Sequence, residues 1–423
     1  MANLLIKPTT GPGNKLILQD QEGGDAIEIA DTGTTLTAPT LAGNATASGN
    51  LTVSGDLIPS SALSHRNLII NGAMQVAQRG TSFADVGTTA GYYSFDRWRY
   101  SAGYGVPTSR WTVSSQAPGA GALADGFTTS QKWSCTTLET QATFNASTNG
   151  GIRYVAVGQP IEYKDLLHLR WGDSTNVKKT VISFWVKSSR SGDHGFTIHP
   201  NNGAGALPLN YNVTSANVWQ KIEIPITSTT LPTLNTDFGA QIMFLLCIGN
   251  TLYGGTDNVY VADGSKYSSA SGQPANIGET TSDYLEFTGV QWELGSNATP
   301  FEHRSYGDEL AKCQRYCYRI PTTGTAGIYD QVCAGFRNNT NSFWAPLSLP
   351  CEMRGVPVIT SANLAIWYGT LGSWSTTNSG LGFYGTEFPS NIAPFSLNGI
   401  STSLDYGILS FQSGGYIQLD AEL

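Results

Sequence analysis

The chain has 423 residues, of which only 13% are charged, and its formal net charge at pH 7 is -8. An acidic chain without a basic stretch is not expected to bind nucleic acid or an anionic membrane, because binding to phosphates draws on clustered Lys and Arg. The length exceeds the ~250–300 residues at which a single core stops growing, so we expect two or three folding units in series.

Residues 1–13 lack the charged and apolar segments of a secretory signal, and the longest apolar run, residues 242–248, is far shorter than the ~18 residues of a membrane span. We therefore expect a soluble protein that leaves the cell without ordinary secretion. The six cysteines are too sparse for a disulfide framework and are expected to be reduced. The 48 glycines and the few charges are typical of an all-β extracellular or virion protein.

The first segment, residues 1–64, contains no aromatic residue. Apolar pairs at strand spacing (Leu16 with Leu18, Ile27 with Ile29, Leu51 with Val53) alternate with polar residues and predict short strands. Strands this short need partners from other copies, so the segment is predicted to be a trimeric shaft that anchors the protein. The alternative is that residues 38–61, rich in Thr, Ala, Gly and Ser, form a flexible linker.

Residues 65–304 are predicted to form a jelly-roll β-sandwich. Strands are indicated by runs of β-branched and aromatic residues at 180–186, 219–226, 241–247, 259–261 and 284–294. Residues 305–320 are predicted to be a connecting helix with a capping Ser305 and with Leu310, Cys313 and Cys317 at helical spacing. Residues 321–423 then return to short strands and predict a C-terminal β tip domain, so the fold class is all-β.

Five motifs occur in order between residues 67 and 316. They are NLIINGAMQVAQRG at 67–80, SFDRW at 94–98, LEFTGVQWELG at 285–295, ATPFEHRS at 298–305 and ELAKCQRY at 309–316. Together they resemble the tail-fibre and minor tail proteins of marine tailed bacteriophages. The chain departs from that pattern at Trp292 and Cys317, which leaves the predicted fold unchanged but makes the packing of the helix less defined.

The resemblance implies a virion component with a jelly roll like a carbohydrate-binding module and a distal β tip, carried as a homotrimer. It would be assembled in the host cytoplasm and located in the virion tail. Its N-terminal segment would dock on phage tail, adaptor or nozzle proteins, and its tip would bind a host surface polysaccharide or an outer-membrane receptor. No cofactor is implied, and a structural calcium bound by such a jelly roll has no assigned ligands here.

The sequence has no G-x-S-x-G, H-E-x-x-H or Walker pattern, and we expect no enzymatic activity. A glycanase needs two carboxylates from distant strands, for which Asp96, Glu286 and Glu293 are formally eligible. The simpler interpretation is that Asp96 pairs with Arg97 or Arg99 and that both glutamates lie on a solvated strand face. Cys313 and Cys317 have the spacing of half a metal site, although burial on a helix face explains them better.

Aromatic residues concentrated in the tip domain are the candidate ligand-binding residues, because sugars stack on flat aromatic faces. They are Trp344, Trp367, Tyr368, Trp374 and Tyr384. Trp374 and Tyr384 lie in stretches rich in Gly, Ser and Asn and are the stronger candidates, whereas one of Trp367 and Tyr368 is expected to point into a core.

The predicted function is therefore attachment to a host-surface glycan by a trimeric phage tail fibre or spike. Two alternatives remain open. The chain could be a purely structural tail subunit whose receptor-binding tip is another protein, or it could be a depolymerase that cleaves the host glycan.

Overall fold

The computed structural model describes the chain in blocks. These are residues 15–19, 25–30, 33–36, 65–87, 89–103, 110–138, 142, 145, 154–200, 205–228, 231–234, 238–252, 254–262, 275–322, 330–339, 342–367, 374–377, 381–383, 392–398 and 406–423. Only the backbone is described for residues 15–36 and 367–398 within these blocks and for 251, 338, 339 and 342. The chain divides into two compact units, Met1–Pro59 and Ser60–Leu423. The finer division at residues 64, 304 and 320 stays a prediction.

The first unit contains a three-stranded antiparallel sheet of β1 (Lys15–Gln19), β2 (Asp25–Ala30) and β3 (Gly33–Leu36). Leu16 pairs with Ile29 and Leu18 pairs with Ile27, so the alternation in the sequence matches the strand register. Residues Leu51 and Val53, the third predicted pair, lie outside the described residues.

The second unit begins with two antiparallel sheets, as predicted for a jelly roll. The strands are β4 (Ser82–Val86), β5 (Gly91–Tyr92), β6 (Arg99–Gly103), β7 (Arg110–Gln116), β8 (Ser130–Thr137), β9 (Tyr154–Ile161), β10 (Thr180–Ser188), β11 (Gly192–Pro200), β12 (Gly205–Val213), β13 (Gln220–Ile226), β14 (Ala240–Ile248), β15 (Val261–Ala262) and β16 (Tyr284–Leu294). One sheet has the order β13-β10-β16-β8-β7-β4, and the other has the order β15-β12-β11-β14-β9-β6-β5.

The two sheets share one apolar core, to which inward-facing residues of both contribute. Phe244 of β14 stacks on Phe287 of β16 with ring centroids 4.3 Å apart, and Trp98 packs against both rings. Burial of aromatic rings supplies most of the apolar area in such a core. Strand β14 is buried on both faces, as its continuous apolar sequence predicts.

Four short helices occur among the described residues. They are 3₁₀ turns at Ala122–Asp125, Leu167–Leu169 and Asn250–Leu252 and helix α1 (Tyr163–Leu166), before the longer helix α2 (Tyr306–Gln314). The side chain of Ser305 accepts a hydrogen bond from the Asp308 N–H, which confirms the predicted cap. Helix α2 is shorter than predicted, because Cys317 begins a strand that pairs with Asp420. None of the described helices is long and apolar enough to cross a membrane.

The C-terminal strands of the second unit form a third sheet. Its strands are β17 (Cys317–Pro321), β18 (Asp330–Asn339), β19 (Ser342–Ser348), β20 (Val358–Trp367), β21 (Trp374–Thr377), β22 (Leu381–Phe383), β23 (Ile392–Asn398) and β24 (Tyr406–Asp420). The order is β21-β20-β24-β18-β19-β23-β22, and β17 pairs with β24. Its inner face holds a second core that includes Phe343, Ile366, Leu409 and Phe411. The described chain therefore confirms an all-β fold with a jelly roll.

A buried ionic junction joins the end of the chain to the jelly roll. The Arg97 guanidinium pairs with the Glu422 carboxylate and lies 3.5 Å from the centroid of the Tyr316 ring. Arg79 Nη2 lies 2.9 Å from Asp420 Oδ2 and 3.3 Å from Glu422 Oε1. Buried charges are tolerated only when they are paired in this way, so the junction depends on all of its members.

The resemblance motifs also meet at buried polar contacts. Asn71 has a φ of 59°, and its side-chain amide donates to the carbonyls of Val76 and Asp96 at 2.8 and 3.0 Å. The Trp98 indole donates to the Asn71 carbonyl at 3.1 Å, and the Glu309 carboxylate accepts from the Asn71 N–H. These motif residues therefore bond to one another within the fold.

Candidate functional site

Three aromatic residues form a row across the terminal sheet, which we call the aromatic row. Strand register places Phe336 of β18 opposite Tyr406 of β24 and opposite Trp344 of β19. The rings of Phe336 and Trp344 pack edge to face at 5.9 Å, and Tyr406 and Phe336 are 78% and 44% exposed. Because the neighbouring Phe343 is buried in the inner core, the row lies on the outer face of the sheet.

Two other predicted ligand residues lie in strands close to this row. Trp367 pairs with Trp374 on β21 and with Ile408 on β24, two residues from Tyr406. Trp374 therefore begins a strand and does not lie in a loop as predicted. The side chains of Trp367 and Trp374 are not described, and Tyr368 and Tyr384 lie outside the described residues. The assignment of these five residues to ligand binding stays a prediction.

A pocket of about 200 Å³ lies on the outer face of the seven-stranded sheet, and we call it the outer-face pocket. Four adjacent strands, β6, β9, β14 and β11, contribute its side chains. They include Arg99, Ser101, Tyr154, Met243, Gln241 and His199. Alternation along β6 explains the arrangement, since Tyr100 lies in the core and its neighbours Arg99 and Ser101 must face outward.

Two buried polar side chains in this pocket lack hydrogen-bond partners. Ser101 and Gln241 are each 6% exposed, and the Ser101 hydroxyl and Gln241 Nε2 make no hydrogen bond in the described structure. A buried donor without a partner costs free energy, and buried polar groups in folded proteins are normally satisfied. Two such groups in one pocket make it the candidate binding site of the described chain.

Strand β9 lies between β6 and β14 and carries a glycine between two of the lining residues. Gly158 pairs with both Arg99 and Met243, so the row between these side chains is open. A Cβ at Gly158 would lie 2.0 Å from the carbonyl oxygen of Ile242, so no other residue fits this backbone. The Tyr154 ring crosses the neighbouring Gly103, where an added Cβ would lie 2.1 Å from the ring. Glycine at these two positions therefore leaves room for the Ile242 carbonyl and for the Tyr154 ring.

His199 is the only histidine of the described pocket lining and lies on β11, in a segment whose sequence favours a loop. Burial lowers the pKa of His199 to about 4, so the ring is neutral at pH 7. His194, also on β11, faces the core instead and stacks on Tyr211 at 5.4 Å. Strand alternation separates the two residues, so they do not form one site.

Sequence reasoning missed this pocket completely. Its residues are distributed over strands far apart in the chain, from Arg99 to Gln241, and no local spacing joins them. The one available signal was polar residues within the apolar β14 sequence and the preceding strands, notably Gln241 beside Ile242. Without the strand register, however, such a residue cannot be paired with its neighbours in space.

A larger cleft of about 450 Å³ lies at the edge of the sandwich between β12 and β13. Its charged groups already have partners: Lys221 lies 3.3 Å from Glu223, and the Asp257 carboxylate accepts from the Asn210 N–H at 3.0 Å. Lys221, Glu223 and Pro225 are exposed along β13, a pattern that protects an edge strand from pairing. This cleft therefore has a sufficient structural explanation, although the Asn210 Oδ1 atom is unpaired.

The three acids that were eligible for catalysis are all buried. Glu286 accepts from the Ser130 hydroxyl at 2.6 Å and pairs with Lys187 at 2.7 Å. Glu293 accepts from the Thr299 N–H and hydroxyl at 2.8 and 2.7 Å. The prediction of a solvated strand face for both glutamates was wrong, because the outer face of β16 is covered.

Asp96 pairs with Arg79 at 3.6 Å, and not with Arg97 or Arg99 as predicted. Burial raises the pKa of Asp96 to about 6, against the opposing effects of Arg79 and Gln78. Such a shift in a carboxylic acid is sometimes a sign of catalysis, but here the group is enclosed by the ionic junction. The contacts of Asp96 with Arg79 and Gln78 indicate that its role is structural.

The described residues contain no group of three or more His, Cys, Asp or Glu side chains suited to a metal ion. The expected helical spacing of Cys313 and Cys317 does not occur, since Cys313 lies on α2 and Cys317 on β17. Both thiols are buried, and burial raises their pKa values well above the usual range. They behave as small apolar residues in the core.

The chain matches no protein-family model and no curated protein. Among solved structures, the enzymatically active domain of bacteriophage CBA120 tailspike protein 4 aligns with a TM-score of 0.28 and 14% identity over 54% of this chain. The chain spans about a fifth (21%) of that tailspike. A putative sugar-binding protein from Bacteroides thetaiotaomicron aligns with a TM-score of 0.28 and 13% identity, covering 54% of this chain and 100% of its own.

A family 11 carbohydrate-binding module of a Clostridium thermocellum cellulase aligns with a TM-score of 0.24 and 16% identity, covering 52% of this chain and 96% of its own. These TM-scores define no family and carry no argument about function.

Proposed function

We propose that the chain is a glycan-binding subunit of a tailed-phage fibre or spike, without enzymatic activity. In this proposal it works as a homotrimer in the virion tail, docks on a tail protein through its N-terminal unit and attaches to a host surface polysaccharide. The order of the motifs at residues 67–316 supports the virion assignment by resemblance. The outer-face pocket supports glycan binding by its chemistry.

One observation carries the binding function: the Ser101 hydroxyl and Gln241 Nε2 are buried without partners in a shared pocket. Sugars present many oxygen acceptors and an apolar ring face, which match these donors and the Tyr154 ring. The volume of about 200 Å³ is below the roughly 300–1,000 Å³ of pockets that enclose drug-sized ligands. It therefore suits one sugar unit of a longer chain.

A weak single-sugar site is sufficient for adhesion if three copies act together, because linked sites raise avidity by about 10²–10⁴ without new contacts. The aromatic row at Tyr406, Phe336 and Trp344 provides a second surface on which sugar rings could stack, as the sequence predicted for Trp344. Large exposed aromatic side chains in a contiguous row mark interaction surfaces.

The test measures binding of the full-length protein to polysaccharide isolated from host cells. Affinity electrophoresis gives the affinity from the retention of the protein in gels that contain the polysaccharide. The double variant Ser101→Ala with Gln241→Leu removes both donors while it keeps the sheet, and we expect at least a tenfold loss of affinity. The matched control is Ser134→Ala with Gln220→Leu, which changes the same residue types on the other sheet and should bind like the wild type.

The same experiment separates the alternatives. The chain length of the polysaccharide is measured after incubation, and we expect it to be unchanged; shortened chains would make the protein a depolymerase. Equal retention of wild-type protein in gels with and without host polysaccharide would instead favour a purely structural tail subunit.

A further inference from the structure

The outer-face pocket has a positive charge that no described residue neutralises. Arg99 is the one charged side chain at pH 7 among the described lining residues, and the lining contains no Asp or Glu. This is notable in a chain whose 31 acids outnumber its 23 Lys and Arg. The pocket is therefore electrostatically opposite to the protein as a whole.

Arg99 also differs from three ion-paired arginines of the jelly roll. Arg79, Arg97 and Arg304 each lie within 4 Å of a carboxylate in ion pairs, whereas Arg99 forms no ion pair or side-chain hydrogen bond with a described residue. Arginine presents a planar fork of donors that matches the two oxygens of a carboxylate. An arginine held on a rigid strand without a partner is available for such a group.

The other two unpaired groups in the pocket are also hydrogen-bond donors. Gln241 Nε2 can only donate, and the Ser101 hydroxyl can donate, so three donors converge on the pocket from β6 and β14. His199 adds no charge at pH 7, since burial lowers its pKa. A ligand that satisfies the pocket must therefore bring several acceptors and a negative charge.

We propose that the outer-face pocket selects an anionic saccharide, in which Arg99 binds the carboxylate or sulfate of one sugar unit and Ser101 and Gln241 bind neighbouring oxygens. This inference rests on the proposed glycan-binding function and adds the class of sugar. Carboxylate and sulfate present the same acceptor chemistry to the guanidinium, and the experiment distinguishes them.

The test measures the affinity of the full-length protein by calorimetric titration with three probes: an oligouronate, the same oligouronate with its carboxyl groups reduced to alcohols, and a sulfated galactan oligomer. We expect at least a tenfold preference for one of the two anionic probes over the reduced one. Arg99→Gln should remove that preference, because it deletes the charge but keeps hydrogen-bonding capacity.

The matched control is Arg170→Gln, since Arg170 is exposed and pairs only locally with Asp173 among the described residues. It should leave all affinities unchanged. Thermal unfolding of both variants establishes that they are folded. The preferred probe identifies the source of the charge: an oligouronate indicates carboxylate, and the galactan indicates sulfate.

Three results would overturn the inference. Equal affinity for the oligouronate and its reduced form, both lost in the Ser101→Ala, Gln241→Leu variant, would leave the glycan site standing but refute the anionic class. Inorganic sulfate that binds as tightly as either anionic oligomer would show a simple anion site. Absence of binding to all probes and to host polysaccharide would refute the proposed function as well.

Discussion

At the scale of single residues, the informative positions are those where a polar group is buried and its partner is missing or unexpected. The Ser101 hydroxyl and Gln241 Nε2 lack partners, and Asp96 has a partner that the sequence did not indicate. Sequence alone identified Asp96 as noteworthy but predicted Arg97 or Arg99 as its partner, and the structure shows Arg79 instead. Hydrogen bonds from the Asp96 N–H to the Val76 carbonyl at 3.1 Å and from the Gln78 N–H to Asp96 Oδ1 at 3.0 Å hold residue 79 near residue 96.

The unpaired donors predict that removing them lowers the affinity for the glycan without lowering the stability of the fold. Ser101→Ala with Gln241→Leu should raise the free energy of unfolding, or leave it unchanged, because each unsatisfied buried group costs about 1–3 kcal/mol. Affinity should fall in the same variant. Chemical denaturation measures the first quantity, and a clear loss of stability would indicate that these side chains have structural partners.

The raised pKa of Asp96 predicts a pH dependence. The folded protein keeps this proton up to about pH 6, whereas the ordinary pKa is 3.8, so between these values the folded state binds more protons. The contribution of Asp96 to stability therefore falls as pH rises through this window, by at most about 1.4 kcal/mol per pH unit.

Asp96→Asn should remove that contribution. The free energy of unfolding should therefore change with pH at different slopes in the variant and the wild type between pH 4 and 6, and at the same slope above pH 6. The variant must be compared with the wild type because two histidines act in the opposite direction. The pKa values of His194 and His199 are lowered in the folded state, so their contribution to stability rises with pH over a similar range. Denaturant titrations at several pH values measure both slopes. Identical slopes would contradict the assignment.

At the scale of elements, strands with clear alternation or continuous apolar sequence were predicted well, including β10, β14 and β16. The jelly roll and the N-terminal cap of α2 were also predicted. The end of α2 was not, because Cys317 is drawn into a sheet by β24, a strand about a hundred residues later. The outer-face pocket was missed for the same reason, since it exists only once four distant strands are in register.

The ionic junction predicts that the last residues of the chain stabilise the second unit. Glu422→Gln should lower the free energy of unfolding by about 3 kcal/mol, because Arg97 is left buried without its carboxylate. Glu223→Gln is the matched control: its carboxylate is exposed near Lys221 and should matter by less than about 0.5 kcal/mol. Equal small effects from both variants would show that the junction contributes little.

At the scale of the whole molecule, the two compact units suggest different tasks in the proposed fibre. The described part of Met1–Pro59 is one sheet of three short strands, and we expect it to assemble with other copies. Light scattering should give three times the chain mass for the full-length protein and a lower mass for a chain that begins at His65. A monomeric full-length protein would contradict the trimer.

The most direct test of glycan binding is a calorimetric titration of the full-length protein with size-defined oligosaccharides from the host surface. We predict one outer-face site per chain, retained in Tyr406→Ala and lost in Ser101→Ala with Gln241→Leu. Binding that survives the double variant but is lost in Tyr406→Ala would contradict the account and assign the glycan site to the aromatic row.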